Sequence, residues 1–144
     1  MLNLLGEYDC KVDAKGRLKL PKGLLRQLAD IQKDGFVINR NVFERCLDLY
    51  PITVWDKVAA KLTSLNRFVR KDAMFIRKFI NGATPLHADG SSRINLPTSL
   101  MNYAGLSREV KVLGNNDRVE IWDKEQYEKM LTEDIDFASL AEEV

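Results

Sequence analysis

Residues 13–21 of the chain read Asp-Ala-Lys-Gly-Arg-Leu-Lys-Leu-Pro, and residues 89–97 read Asp-Gly-Ser-Ser-Arg-Ile-Asn-Leu-Pro. In both stretches an aspartate is followed four residues later by an arginine, and then by an aliphatic residue, one variable residue, leucine and proline. The same offset of 76 positions aligns Gly6 with Gly82 and Leu24 with Leu100. A unit that occurs only twice is not a solenoid, which needs about three or more stacked repeats. The sequence therefore predicts two related halves that share one core.

The hydrophobic and turn patterns predict the element order β-β-α-β-β-α in each half, an α+β fold that is mainly β. The first half has predicted strands at 6–12 and 17–20, a helix from Pro21, strands at 36–38 and 46–50 around a polar turn at 39–41, and a helix from Pro51. The second half has a strand ending at Ala88, a strand at 93–96, a helix from Pro97, strands at 109–113 and 118–122, and a helix capped by Asp123 with Tyr127, Met130 and Leu131 inward. The first two strands are expected to form a hairpin with a basic tip.

The chain is predicted to divide into a first repeat at 1–66, a connecting helix at 67–81, a second repeat at 82–133 and an acidic, frayed C-terminal tail at 134–144. Residues 1–116 hold 19 Lys and Arg against 11 Asp and Glu, a balance of +8, whereas residues 117–144 hold 3 against 10, a balance of −7. A basic body with an acidic tail is common in proteins that meet polyanions. A solvated acidic helix at the C-terminus would explain the charge equally well.

Composition excludes several classes of protein. At 144 residues the chain is about one domain long, and no apolar run approaches the roughly 20 residues that span a bilayer. The N-terminus has no signal-peptide pattern, so a cytoplasmic protein is expected. Two distant cysteines, Cys10 and Cys46, and the single His87 do not make a zinc site. No metal, cofactor or disulfide is expected, and Cys46 is predicted to be a core residue.

The Asp-x-x-x-Arg motif admits three interpretations, of which the first two are structural and enzymatic. Asp13 could accept backbone N–H bonds at the turn and pair with Arg17, although an exposed pair contributes only roughly 0–1 kcal/mol. Two repeated aspartates could instead form a proton-sharing carboxylate pair, which requires a separation of about 3 Å. Each aspartate is followed by an arginine that favours the ionised carboxylate, and no Asp-Thr/Ser-Gly triplet occurs. The chain is therefore not expected to be an enzyme or to take a small-molecule substrate.

The third interpretation is binding to double-stranded DNA. A two-stranded ribbon fits the major groove, where Arg17 can bond guanine O6 and N7 bidentately. Lysines around it would neutralise phosphates; these are Lys11, Lys15 and Lys19. The second copy offers Arg93 with the less basic Ser91, Ser92 and Asn95. Asp13, Asp89 and Gly16 are predicted to support the motif structurally, Gly16 because it can adopt positive φ.

The two motifs, together with Lys-Gly-Arg-Leu-x-Leu-Pro at 15–21, Leu-x-Leu-Tyr-Pro at 47–51 and Glu-Ile-Trp at 120–122, resemble the MraZ family of bacterial transcriptional regulators over nearly the whole chain. The resemblance implies an AbrB-like swapped-hairpin barrel, a ring-shaped homo-oligomer and a nucleoid-associated protein. It also implies binding to short direct repeats upstream of the division and cell-wall gene cluster that includes the family's own gene. Arg17 corresponds to the family's DNA-reading arginine, and Arg93 is its repeat partner. The alternative function is an antitoxin-like module of the same fold that binds a protein partner.

Overall fold

Two halves with the predicted element order are present in the computed structural model, which describes residues 2–133, 136–142 and 144. The first half contains β1 (Glu7–Lys11), β2 (Arg17–Lys19), α1 (Lys22–Gln27), a 3₁₀ turn (Gln32–Asp34), β3 (Phe36–Arg40), β4 (Leu47–Pro51) and α2 (Ile52–Thr63), and is followed by α3 (Arg70–Ile80). The second half contains β5 (Thr84–Leu86), β6 (Arg93–Asn95), α4 (Thr98–Ala104), β7 (Glu109–Asn115), β8 (Arg118–Asp123) and α5 (Lys124–Leu131), and is followed by α6 (Phe137–Ala141). The predicted α+β class and the order β-β-α-β-β-α are confirmed, but the fold is mixed and not mainly β, because the helices hold more of the described residues than the strands do.

Strands of each half pair with strands of the other half. One antiparallel sheet has the order β1-β7-β8-β4-β3-β5, and a second, two-stranded sheet pairs β2 with β6. The first strand of each half therefore pairs with the third strand of the other half, while the second strands pair together, as do the fourth strands. This strand order is unchanged when the halves are swapped, which is the arrangement expected of a pseudo-two-fold duplication.

The predicted hairpin of β1 with β2 is formed only at its tip. β1 pairs along its whole length with β7, and among the described residues the chain beyond β1 meets β2 through the antiparallel bridge between Val12 and Leu18 and the bond from the Asp13 N–H to the Arg17 carbonyl. Beyond this turn the chain pairs with the other half. Just after β2, the backbone N–H of Leu20 donates to the carbonyl of Ser92, just before β6, at 2.9 Å. Turn geometry sets the direction of β2, and the partner strand comes from the other repeat.

The core lies between the two sheets and the short helices that follow β2 and β6. Leu18 and Ile94 face each other in the β2–β6 pair and are fully buried. Leu24 of α1 and Leu100 of α4 pack into the same cluster. Because Leu18 and Ile94 occupy equivalent positions of the two repeats, the pseudo-two-fold axis passes through the core at this pair.

Two local predictions need correction. Strand β3 continues through Asn39 and Arg40, where a polar turn was expected. The buried Asn39 amide donates to the carbonyl of Phe79 at 2.8 Å and its oxygen accepts from the Arg40 N–H, so hydrogen bonds satisfy a polar residue inside the sheet. Leu131 was expected to face inward but is 59% exposed, because it lies in the last turn of α5.

The C-terminal segment is partly helical. Asp136 caps α6 by accepting from the N–H of Ala138 at 3.1 Å and from the hydroxyl of Ser139 at 2.7 Å. The expectation of a frayed tail is therefore wrong for Phe137–Ala141, while residues 134, 135 and 143 lie outside the described residues. Among the described helices, none combines the length and the apolarity needed to cross a membrane.

A buried carboxylate lies where the halves meet in the larger sheet. Asp48 of β4 faces Glu120 of β8 and is only 2% exposed. Burial raises the pKa of Asp48 to about 6, even though the Asn41 amide donates to both of its oxygens at 3.2 Å and the Arg118 guanidinium lies 3.9 Å away. The charged form of Asp48 is thus less stable in the folded chain than in water.

This raised pKa predicts a pH-dependent stability. The contribution of Asp48 to the unfolding free energy is fully present below the usual pKa of an aspartate, near 3.8, and is lost as pH rises through about 6. Because of Asp48, the unfolding free energy of the unchanged chain should fall by about 2–3 kcal/mol between pH 4 and pH 7. The Asp48→Asn variant should lack this part of the fall. Denaturant unfolding at a series of pH values measures this difference.

Asp123→Asn is the matched control, because hydrogen bonds from Ser107 lower the pKa of Asp123 although burial opposes them. Its substitution should remove stability at neutral pH instead. An Asp48→Asn variant with the same pH dependence as the unchanged chain would contradict the buried-carboxylate account.

Candidate nucleic-acid interface

The first Asp-x-x-x-Arg motif forms a closed turn around the Asp13 carboxylate. Oδ1 of Asp13 accepts the backbone N–H groups of Lys15 and Arg17, both at 2.9 Å, and Oδ2 accepts Nε–H of Arg17 at 2.8 Å. The backbone closes the same turn, since the Asp13 N–H donates to the Arg17 carbonyl and the Gly16 N–H to the Asp13 carbonyl, both at 3.0 Å. Gly16 adopts φ 78°, the positive value predicted for it. These bonds fix the position of the Arg17 side chain.

The second motif reproduces this turn bond for bond. Oδ1 of Asp89 accepts the N–H groups of Ser91 and Arg93 at 2.8 and 3.0 Å, and Oδ2 accepts Nε–H of Arg93 at 3.0 Å. Ser92 occupies the position of Gly16 with φ 60°. The repeat identified in the sequence is therefore a repeat of side-chain geometry as well as of residue types.

Both aspartates are held as charged acceptors. Bonds from the backbone N–H of Arg17 lower the pKa of Asp13 most strongly, and those from Arg93 do the same for Asp89, although partial desolvation opposes the shift. The two turns lie at opposite ends of the β2–β6 pair, because Arg17 faces Asn95 and Lys19 faces Arg93. A shared-proton carboxylate pair therefore does not form.

The β2–β6 pair brings the two motifs onto one exposed face, which we call the ribbon. Leu18 and Ile94 point into the core, so their neighbours on each strand point outward. The outward residues are Arg17, Lys19, Arg93 and Asn95. Arg17 and Arg93 are diagonal neighbours, which lie about 7–8 Å apart in an antiparallel pair. The two-stranded ribbon expected from one repeat is thus built from one strand of each repeat.

The ribbon carries an unbalanced positive charge. Lys19 and Arg93 stand directly opposite each other, an arrangement of like charges that destabilises a free strand pair. Each arginine donates only its Nε–H to its aspartate. In the part of the chain that the structure describes, the terminal Nη groups make no hydrogen bond. Two guanidinium ends are therefore aimed outward and free to donate to an acceptor on a ligand.

The remaining predicted site residues fall into two groups. Lys15 and Ser91 are exposed at equivalent positions of the two turns, beside the ribbon, and Ser92 is half-buried. Lys11 is exposed at the end of β1, in the larger sheet, where it faces Glu109 of β7. The structure therefore places Lys11 off the ribbon, while Lys15 extends its basic face at one end.

Sequence reasoning missed one cluster of potential ligand atoms. The side chains of Cys46, Asp48 and Glu120 bring one sulphur and two carboxylate oxygens within 4.8 Å of one another. Trp122 donates to Glu120 at 2.9 Å and Asn115 donates to its other oxygen at 2.8 Å, so the acids already have partners. Cys46 is fully buried, as predicted for a core residue, and burial raises the pKa of its thiol. No signal in the sequence joins these three residues, because β4 and β8 meet only in the folded chain.

Comparison with known proteins identifies similar chains. The family model described as "MraZ protein, putative antitoxin-like" matches residues 3–78 and again residues 79–143. A protein named "Transcriptional regulator MraZ" from Christiangramia forsetii is 46% identical over all of this chain and 94% of its own length. Proteins of the same name from Flavobacterium psychrophilum and Cytophaga hutchinsonii are 42% and 41% identical, over 100% and 95% of this chain and 92% and 91% of their own lengths. The resemblance drawn from the two motifs is confirmed, as is the expectation of a regulator and not an enzyme.

The turn geometry makes a stability prediction at equivalent positions of the two repeats. Gly16→Ala should cost about 1 kcal/mol, because alanine at φ 78° is strained. A Cβ there would lie 3.6 Å from its nearest atoms, so a steric clash would not explain the loss. Ser92→Gly should change stability by less than about 0.5 kcal/mol, since relief of strain is offset by a more flexible unfolded chain. Denaturant unfolding measures both, and a neutral Gly16→Ala would contradict the turn as described.

Proposed function

The chain belongs to the MraZ family of transcriptional regulators, and we propose that it binds double-stranded DNA sequence-specifically through the ribbon. One observation carries the proposal: Arg17 and Arg93 lie on the outward face of the ribbon, each with Nε held by an aspartate and with no hydrogen bond from either Nη group to the described residues. An arginine fixed in this way meets a base edge with little further loss of side-chain freedom.

The ribbon has the chemistry that major-groove recognition requires. A two-stranded ribbon enters the major groove, and the free end of each guanidinium can donate two hydrogen bonds to guanine O6 and N7. Lys15 and Lys19 flank Arg17 and supply phosphate contacts, with Lys11 a more distant contributor. Ser91, Ser92 and Asn95 take the matching places around Arg93 and can donate to phosphates or base edges. Both repeats therefore contribute to one DNA-contacting face.

Family membership extends the proposal to the assembly. The two sheets are proposed to close as an AbrB-like swapped-hairpin barrel, and several chains to form a ring. A ring requires a head-to-tail interface, and it would present several ribbons to successive direct repeats, so that modest contacts add up to strong binding. The proposed targets are short direct repeats upstream of the division and cell-wall gene cluster that includes the protein's own gene. The proposed location is the cytoplasm, in association with the nucleoid.

A second candidate function is antitoxin-like binding of a protein partner. The observation that favours it is the C-terminal segment, in which Phe137 and Leu140 are 83% and 64% exposed on a short acidic helix. A regulator that acts through DNA should lose its effect when the ribbon is altered, whereas a module that acts through its tail should not. Variants of the ribbon therefore separate the two functions.

The ribbon proposal predicts that Arg17→Ala weakens specific DNA binding. The variant removes a bidentate guanine contact worth about 1–3 kcal/mol per site, and the losses multiply in an assembly that engages several repeats. Affinity for a duplex from the region upstream of the protein's own gene should collapse, as measured by fluorescence anisotropy. Sedimentation should show an unchanged assembly.

Arg26→Ala is the matched control, because Arg26 is exposed in the last turn of α1, outside the ribbon. It should bind like the unchanged chain. Equal affinity of Arg17→Ala and Arg26→Ala for the upstream duplex would rule out the ribbon as the reading surface.

The flanking lysines should behave differently from the arginine. If Lys15 and Lys19 contact phosphates, alanine at either position should weaken binding to all sequences alike and reduce the slope of log affinity against log salt concentration by about 1. Lys57→Ala, at an exposed position of α2, serves as the control. Titrations at several salt concentrations give the slopes. A change of sequence preference with an unchanged slope would assign these lysines to base recognition instead.

A further inference from the structure

An apolar groove lies outside the ribbon, between the β3–β4 connection and the helices α2 and α3. Two adjoining cavities of about 260 and 270 Å³ share Asn41, Val42, Phe75 and Phe79 among their lining residues. Tyr103 extends the groove at one end, and Leu62 of α2 lines it at the other. Val42 and Phe75 are 54% and 44% exposed, so the groove presents apolar surface to solvent in the single chain.

The rim of this groove is basic. Lys78 lines the first cavity, and Lys61 and Arg118 line the second. Within the described ranges, neither Lys61 nor Lys78 has a carboxylate oxygen within 4 Å. The groove therefore combines an apolar floor with two lysines, Lys61 and Lys78, that have no acidic partner among the described residues, whereas Arg118 is paired with Asp117 and Asp48. An acidic segment with an apolar stripe has the complementary chemistry.

The C-terminal segment of the same sequence has that pattern. Phe137, Leu140, Ala141 and Val144 stand at positions i, i+3, i+4 and i+7, the spacing of a helix that lies in a groove. Asp136, which caps α6, and the acidic Glu142 flank the stripe. Because α6 leaves Phe137 and Leu140 exposed, nothing within the described chain covers this stripe.

We propose that the groove binds the C-terminal segment 136–144 of a second copy of this chain. The apolar stripe would lie on Val42, Phe75 and Phe79, and the acidic residues would face Lys61 and Lys78. A second copy is the occupant because the chain's own segment leaves the groove open, and because groove and segment are opposite in charge. The contact is head-to-tail, since each chain offers one groove and one segment. This inference rests on the proposed homo-oligomer and names a contact that holds it together.

Cysteine cross-linking between full-length chains tests the contact. One variant carries Ala138→Cys on α6 and the other carries Val42→Cys in the groove, both with Cys10→Ser; the buried Cys46 is retained. When the two are mixed and treated with a short bismaleimide, a covalent dimer should form. Leu5→Cys in place of Val42→Cys is the control, because Leu5 is similarly exposed, at 63%, but does not line the groove. Its yield of dimer should be at least tenfold lower.

Two further variants show what holds the segment. Leu140→Asp on the Ala138→Cys chain should reduce the yield at Val42 at least tenfold, because it puts a charge into the apolar stripe. Lys78→Glu on the Val42→Cys chain should also reduce it, because it reverses the charge of the rim. Val144→Ile, which keeps the stripe apolar, should leave the yield unchanged.

Three outcomes would overturn the proposal. The first is an equal yield of covalent dimer with the Val42→Cys and the Leu5→Cys chains. The second is that a single chain carrying both Ala138→Cys and Val42→Cys cross-links only within itself. The third is that the protein sediments as a monomer and forms no cross-linked dimer. DNA affinity measured on the same variants keeps the two proposals apart. Cross-linking as expected with no DNA binding would reject the ribbon function and leave the segment contact standing.

Discussion

The exchange of strands between the two halves is the constraint on which the rest of the structure depends. β2 is three residues long and meets the end of β1 only at the tight turn between them, so β6 is the strand with which it pairs along its length. Reciprocal bonds extend this pairing, from the Leu20 N–H to the Ser92 carbonyl and from the Leu96 N–H to the Gly16 carbonyl, both at 2.9 Å. Buried backbone groups must find such partners. Neither repeat is complete alone, and the outward face of the shared pair necessarily carries residues of both motifs.

The aspartates convert this shared backbone into a directed surface. In each carboxylate one oxygen accepts two backbone N–H groups and the other accepts the Nε–H of the arginine. The same residue therefore closes the turn and orients the guanidinium. An exposed ion pair contributes little to stability by itself. The value of the arrangement lies in the orientation of Arg17 and Arg93, whose free ends face away from the core beside Lys19. A structural role for the aspartates and a binding role for the arginines are parts of one geometry.

Sequence reasoning predicted what is encoded locally and failed where partners are distant. The repeats, the element order, the positive φ at Gly16 and the Asp123 cap follow from residue type and spacing, and all are present. Strand partners do not follow, because β2 shows the same alternation of polar and apolar residues whether it pairs with β1 or with β6. Asn39 was predicted to lie in a turn because it is polar. Its buried place in β3 depends on a hydrogen bond to the carbonyl of Phe79, 40 positions away, which the local sequence does not reveal. The shared ribbon could be found only from the fold.

The most direct test of the ribbon is a loss-of-contact measurement on operator DNA. Each base pair of one direct repeat is substituted in turn, and affinity is measured for the unchanged chain, Arg17→Ala and Arg93→Ala. Because the two arginines lie about 7–8 Å apart and base pairs are spaced by about 3.4 Å, each variant should become insensitive at one position, with the two positions about two to three base pairs apart in the same repeat. If Arg93→Ala kept the sensitivity of the unchanged chain at every position, or if its position fell in a different repeat, a single ribbon made by both halves would not be the unit that reads DNA.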